Sequence, residues 1–170
     1  MTRPRCSAFL AASLDGFIAR PDGGLDWLTP FQSEHGYTAF FQTVDTVLIG
    51  RATWEVVGGF PAWPFDGKRV AVLTHRPLAA GHGELALSGG LSEVLAALSA
   101  GGARSIYVDG GAVVSQFLAA GLLDELTLNL IPVVLGEGIP LFQGDLPERR
   151  LALASSQAYP SGLVQLRYRP

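Results

Sequence analysis

The stretch Ile106-Tyr107-Val108-Asp109-Gly110-Gly111 decides how this chain is read. Three strand-forming residues run into an acid and then two glycines, and Val113, Val114, Phe117, Leu118 and Leu122 follow at helical spacing. A strand that turns directly into an amphipathic helix is the unit of a parallel sheet with helical cover. Working outward, the alternation recurs. Ser7 to Ser13 predicts a buried first strand ended by Asp15-Gly16, and residues 20–26 a loop loosened by Gly23-Gly24. Tyr37, Phe40 and Phe41 set a helix over 34–43, and Thr46 to Ile49 a strand that stops at Gly50. Arg69 to Thr74 reads as the next strand and Leu91 to Ser99 as the next helix. The C-terminal third breaks the rhythm. A strand over Leu126 to Val134, a turn at Gly136-Glu137-Gly138, and strands over 151–159 and 163–169 joined through Pro160-Ser161-Gly162 predict an antiparallel edge. The expected class is α/β, a mostly parallel central sheet with helices on both faces and an antiparallel C-terminal edge.

At 170 residues, with no repeat, low-complexity tract or linker, the chain fits one domain with one substantial core. A net charge of -3 without clustered cations argues against nucleic acid as partner. One cysteine, Cys6, excludes an internal disulfide and a cysteine-rich zinc cage, and points to a cytoplasmic setting. The N-terminal residues are too short an apolar run, and too polar, to span a membrane. His35, His75 and His82 lack metal-ligand spacing, so no metal site is expected. Gly67-Lys68 is followed by Arg69 rather than Ser or Thr, which removes a P-loop, and no G-x-S-x-G elbow exists.

In open α/β sheets, ligands bind beyond the carboxyl ends of strands, where helix N-termini offer free N–H groups. Three such ends carry suitable residues. Gly110-Gly111 lets an anion approach the backbone, though a tight turn would use the same pair. Gly50-Arg51-Ala52-Thr53 delivers a guanidinium and a hydroxyl to a helix start, and Thr74-His75-Arg76-Pro77 repeats that pairing. Each alone reads equally well as a cap or a solvated charge. Three together favour a dinucleotide.

Ser13-Leu14-Asp15-Gly16, Val47-Leu48-Ile49-Gly50-Arg51 with Thr53, Val108-Asp109-Gly110-Gly111, Leu122-Leu123-Asp124-Glu125-Leu126, then Pro132 with Leu135-Gly136-Glu137-Gly138 and Leu141-Phe142 occur in one order. In that order the chain resembles the dihydrofolate reductase-like family, and more closely its riboflavin-biosynthesis reductase (RibD) C-terminal domain type. The resemblance implies an NADPH-dependent reductase of a small heterocycle, similar to 5-amino-6-(5-phosphoribosylamino)uracil reductase, and a homodimer. It places Gly50, Arg51 and Thr53 at one phosphate region, Thr74 and Arg76 at the adenosine 2′-phosphate, and Gly110 and Gly111 at the pyrophosphate. Ala11 and Ile18 would flank the nicotinamide. There are departures: Phe9 stands where a basic residue is usual, no Asp-Asp-Pro loop follows, and Asp109 replaces a glutamate before the paired glycines. With a single cysteine and no length for a zinc deaminase domain, the likeness is to the stand-alone branch.

Hydride transfer also needs a proton source. Glu34, at a helix start, is the catalytic candidate, with dipole complementation as its other reading. Asp109 would bind substrate or cap its turn, and Trp27 would stack on a flat ring or anchor packing. Two other functions stay open: a true dihydrofolate reductase, and a non-catalytic nucleotide-binding module on the same scaffold. The apolar Leu128, Ile131 and Val133 would form either a dimer face or interior.

Overall fold

The computed structural model describes residues 3–32 and 35–170. Its strands are β1 (Arg5–Ser13), β2 (Phe17–Ala19), β3 (Thr46–Gly50), β4 (Arg69–Leu73), β5 (Leu85–Leu87), β6 (Ser105–Asp109), β7 (Glu125–Ile131), β8 (Ile139–Pro140), β9 (Ala152–Ala158) and β10 (Val164–Arg169). The helices are α1 (Tyr37–Gln42), α2 (Arg51–Val57), α3 (Leu91–Ala100) and α4 (Gly111–Ala119), with a 3-10 turn at Asp26–Phe31. The main sheet runs β5-β4-β3-β6-β1-β7-β10-β9. From β5 to β7 neighbours are parallel, and β10 pairs antiparallel with both β7 and β9.

The period of two along β1 divides the interior. Cys6, Ala8, Leu10 and Ala12 pack with Leu48, Ile106 and Val108 beneath α3 and α4, reached through Val94, Leu98, Val114 and Phe117. Phe9 points the other way, joining Val47, Ile49, Val72 and Tyr107 beneath α1 and α2. Both faces are therefore covered, as expected from strands that are apolar on both sides. Phe117, completely buried, contributes about 1.5–3 kcal/mol by its removal from water.

Several local expectations need correction. β2, β5 and β8 have only two or three residues, too few to show a period in sequence. The loop at 20–26 is already coiling into the 3-10 turn at Asp26. The helix expected over 34–43 starts only at Tyr37, after Gly36 in the left-handed region at φ 74°. The strand expected to reach Val134 ends at Ile131, because the Val133 N–H turns back to Ile131 O at 2.7 Å across Pro132, which has no N–H to offer. Ile131 is completely buried against Trp27 and Leu163, with Val133 packed beside them and Leu128 half-buried elsewhere, so Ile131 is interior rather than a dimer face. The exposed surface at that side is the edge strand β9. Among the described residues no helix is long and apolar enough to cross a membrane.

Candidate active site

Because β4, β3 and β6 are adjacent and parallel, their carboxyl ends lie side by side: Gly50 is level with Leu73, and Ile49 with Asp109. This brings Gly50-Arg51-Thr53, Thr74-His75-Arg76 and Gly110-Gly111 to one edge of the sheet. Gly110 caps the nine-residue α4 at φ 90°, a conformation side chains resist. A Cβ there would overlap Thr53 Oγ1, and a Cβ on Gly111 would lie 2.6 Å from Leu141 O and 2.7 Å from Gln143 Nε2. The Leu141 carbonyl and the side chains of Gln143 and Thr53 thus close on the start of α4, where only glycine fits. Leu141 is held there by its N–H to Gly16 O at 2.8 Å, and Gln143 by its N–H to the buried Ser115 hydroxyl at 2.9 Å.

Toward the sheet edge the site widens into a cleft of about 640 Å³ lined by Thr74, His75, Leu87, Ser88, Gly90 and Gln116. Arg51 is held beside it. Its Nε contacts Glu55 at 2.8 Å, its Nη1 donates to Pro77 O at 2.9 Å, and its guanidinium lies 4.9 Å over the Trp54 ring. Arg76 approaches the same Glu55 at 3.6 Å but keeps a side chain 69% exposed, so it is the freer cation. Thr74 Oγ1 accepts the Arg76 N–H at 3.1 Å, fixing the turn that presents it.

Inward, the sheet opens. β1 pairs with β6 only over Arg5–Ser7, yet continues beside β7 to Ser13 while β6 continues beside β3 to Asp109. Past Ser7 and Tyr107 the central strands part, tied by Tyr107 hydroxyl donating to Phe9 O at 3.0 Å. Ala11 lies on β1 beyond that point, and Ile18 reaches the start of α4, its Cδ1 3.0 Å from where a Gly111 Cβ would be. Asp109 sits at the β6 end with Oδ1 accepting the Gly110 N–H at 2.8 Å, so the capping reading is realised. Burial pushes its carboxyl up to about 6 despite that N–H and the Tyr107 hydroxyl. Burial also raises the Tyr107 and Tyr37 hydroxyls, with the nearby Asp109 charge adding to it, and lowers His35.

Trp27 is buried with Ala11, Ile131 and Leu163, and its indole N–H has no partner among the described residues. Such an orphaned donor is uncommon in a native interior. Glu34 lies outside the described residues. The sequence reading assigned no role to Tyr37, Tyr107, Asn129, Gln143 or Gln165. Asn129 is completely buried on β7, donating to Leu10 O at 3.1 Å and accepting from Gln165 Nε2 at 2.8 Å. Its signal was present: a single amide inside the apolar run Leu126 to Ile131. The tyrosines gave none, since aromatics in a helix and a strand read as core.

Asp15 explains why two distant motifs travel together. Its carboxylate accepts the N–H groups of Leu135 at 3.1 Å and Gly136 at 2.7 Å and the Ser13 hydroxyl at 2.6 Å, and these bonds hold it below the usual carboxylate range.

A parallel sheet covered on both faces, parted between its central strands and closed by an antiparallel edge, defines a dihydrofolate reductase-like fold. Dihydrofolate reductase from Enterococcus faecalis, complexed with NADP(H), superposes with a TM-score of 0.66 at 23% identity, over 97% of this chain and 95% of that one. The chain belongs to the RibD C-terminal domain family, whose model matches residues 65–165. A putative riboflavin biosynthesis protein from Shewanella sp. PV-4 is 32% identical, with a TM-score of 0.88 over 97% of this chain and 98% of that one. The uncharacterized protein YwjB of Bacillus subtilis (strain 168) is 38% identical over 94% of each chain. The fold is thus that of an oxidoreductase family of reductase type.

Proposed function

We propose that the chain is an NADPH-dependent reductase of a small, flat heterocycle. The observation that carries this reading is the alignment of three strand ends on one edge, with bare backbone at Gly110-Gly111 and a guanidinium at each of the other two. The residues present fit the cofactor. At the start of α4, Gly110 and Gly111 present no side chain of their own, which suits the approach of a pyrophosphate to helix N–H groups. Thr74 and the exposed Arg76, at the end of the 640 Å³ cleft, suit the 2′-phosphate, with Gly50, Arg51 and Thr53 between. Ala11 and Ile18 would flank the nicotinamide where β1 and β6 part.

When bound, NADPH supplies a hydride to an electron-poor carbon of a C=N or C=O bond. The chain's own part is to orient, exclude water and hold the proton. We assign the last to Asp109. Its Oδ1 accepts the Gly110 N–H, and a carboxyl raised to about 6 would exchange a proton with substrate near that pH. Trp27, packed beside Ala11, keeps an unspent indole N–H next to the proposed nicotinamide position. Glu34 has no part in this reading. The homodimer belongs to the same proposal, with the uncharged, exposed strand β9 as the surface left for a second copy.

The test is cofactor titration. NADPH should bind at least about tenfold more tightly than NADH, and Arg76→Gln should erase that preference by weakening NADPH alone, as expected for about 1.4 kcal/mol carried by a phosphate contact. Equal affinities in the unaltered protein, or none, would remove the reading.

A further inference from the structure

Phosphate-binding chemistry is concentrated at the carboxyl ends of the parallel strands, yet a second set of arginines gathers at the opposite edge. There β1 and β7 begin, and β10, antiparallel to β7, ends. Arg3, Arg5, Asp124 and Arg169 line an open concavity of about 510 Å³. Arg167 stands next to it, level with Thr127 on β7.

The ion pairs leave this edge with an excess of cation. Arg3 forks onto Asp124, with both N–O distances 2.7 Å, and is neutralised. Glu125 is shared, contacting Arg5 Nη2 at 3.0 Å and Arg167 Nε at 3.7 Å. Arg169 makes no salt bridge among the described residues. Four guanidinium groups therefore meet two carboxylates, a local side-chain excess of two positive charges in a chain whose net charge is -3. The Arg5 side chain is 60% exposed and that of Arg167 49%, while Glu125 is 14% exposed, so the acid lies underneath and the cations face water. The free ends are Arg5 Nη1, both terminal nitrogens of Arg167 and the whole Arg169 fork. Guanidinium forks match the spacing of phosphate oxygens and are weakly hydrated, which makes them better phosphate ligands than lysines.

We infer that this concavity is a second anion site, for a small molecule carrying a doubly charged phosphate ester, formed by Arg5, Arg167 and Arg169 with Arg3–Asp124 as its fixed wall. It is separate from the proposed cofactor site: along β1, the eight steps from Arg5 to Ser13 at about 3.3 Å each put the two ends roughly 26 Å apart. The inference does not depend on the reductase reading.

Pyrophosphate is the probe, titrated calorimetrically into the full chain with and without saturating NADPH. The expected result is one pyrophosphate per chain that persists with NADPH present, weakens at least tenfold in Arg169→Gln and further in Arg5→Gln/Arg169→Gln, and is unchanged in Arg76→Gln. Arg169 has no ion pair to lose, and circular dichroism of that variant should match the unaltered protein. Absence of binding, binding insensitive to both substitutions, or binding lost in Arg76→Gln and kept in Arg169→Gln would overturn the site. Failure of NADPH to bind would leave the pyrophosphate result standing and would count only against the cofactor reading.

Discussion

Two strand-to-helix junctions sit side by side at the candidate site, and they look alike in sequence. β3 passes through Gly50 into α2, and β6 passes through Gly110 into α4. Their geometry is different. Gly50 is extended at φ -84°, which any residue adopts, whereas Gly110 is at φ 90°. A Cβ at Gly50 would meet only a Val113 methyl, 3.1 Å away, while one at Gly110 would overlap Thr53 Oγ1. The β6 junction is therefore shaped by backbone necessity and the β3 junction by side-chain choice. If both hold one dinucleotide, the first sets where the pyrophosphate goes and the second sets how its surroundings are charged.

The sharpest way to break that contrast is Gly110→Ala. Positive φ costs about 1–3 kcal/mol for an alanine, and overpacking against Thr53 adds a comparable amount, so a loss of about 3 kcal/mol is expected in urea unfolding, together with loss of cofactor binding. In a Thr53→Ala background roughly half of that penalty should disappear. Full tolerance of the alanine would show that the junction is not constrained as described.

This distinction marks the limit of what the sequence disclosed. The alternation of β3, α2, β6 and α4 was readable because strands buried on both faces and helices buried on one leave strong periodic signals. The antiparallel edge was readable from Pro160-Ser161-Gly162. The three strand ends were readable as candidates too, but their meeting at one edge depends on β4, β3 and β6 being neighbours, an order that connects residues far apart in the chain. β2 and β8 hide because two or three residues have no period. The closure of Leu141 and Gln143 over Gly111 hides for another reason: it depends on a backbone carbonyl and a side-chain amide brought from about thirty residues away, and no residue type announces it.

Asp109, next to Gly110, gives the second test, because it makes the β6 junction sensitive to pH. Its carboxyl is raised from an ordinary 3.8 to about 6 by burial, so the folded chain binds this proton more tightly than the unfolded chain does. The sign follows: stability is full below about pH 4, falls as pH rises toward 6, and is flat above. Asp109→Asn retains an acceptor for the Gly110 N–H and removes the buried charge. It should therefore stabilise the protein by on the order of 2 kcal/mol at pH 8 and by little at pH 4, while turnover of any substrate falls at both. Urea unfolding at the two pH values decides it, and a variant equally or less stable at pH 8 would reverse the assignment.

Gly50→Ala should have the smallest effect, and for that reason it tests the comparison most directly. Alanine at φ -84° carries no strain and lowers the entropy of the unfolded chain, a gain of about 0.4–1 kcal/mol. Val113 must yield by a few tenths of an ångström at the foot of α4, which offsets part of that gain. The expected net change is within about 0.5 kcal/mol of zero by urea unfolding, with NADPH affinity altered less than about threefold. A loss close to that of Gly110→Ala would mean that α4 cannot move at Val113. The two junctions would then be a single rigid unit, in which the β3 glycine is required through its neighbour's packing rather than by its own backbone.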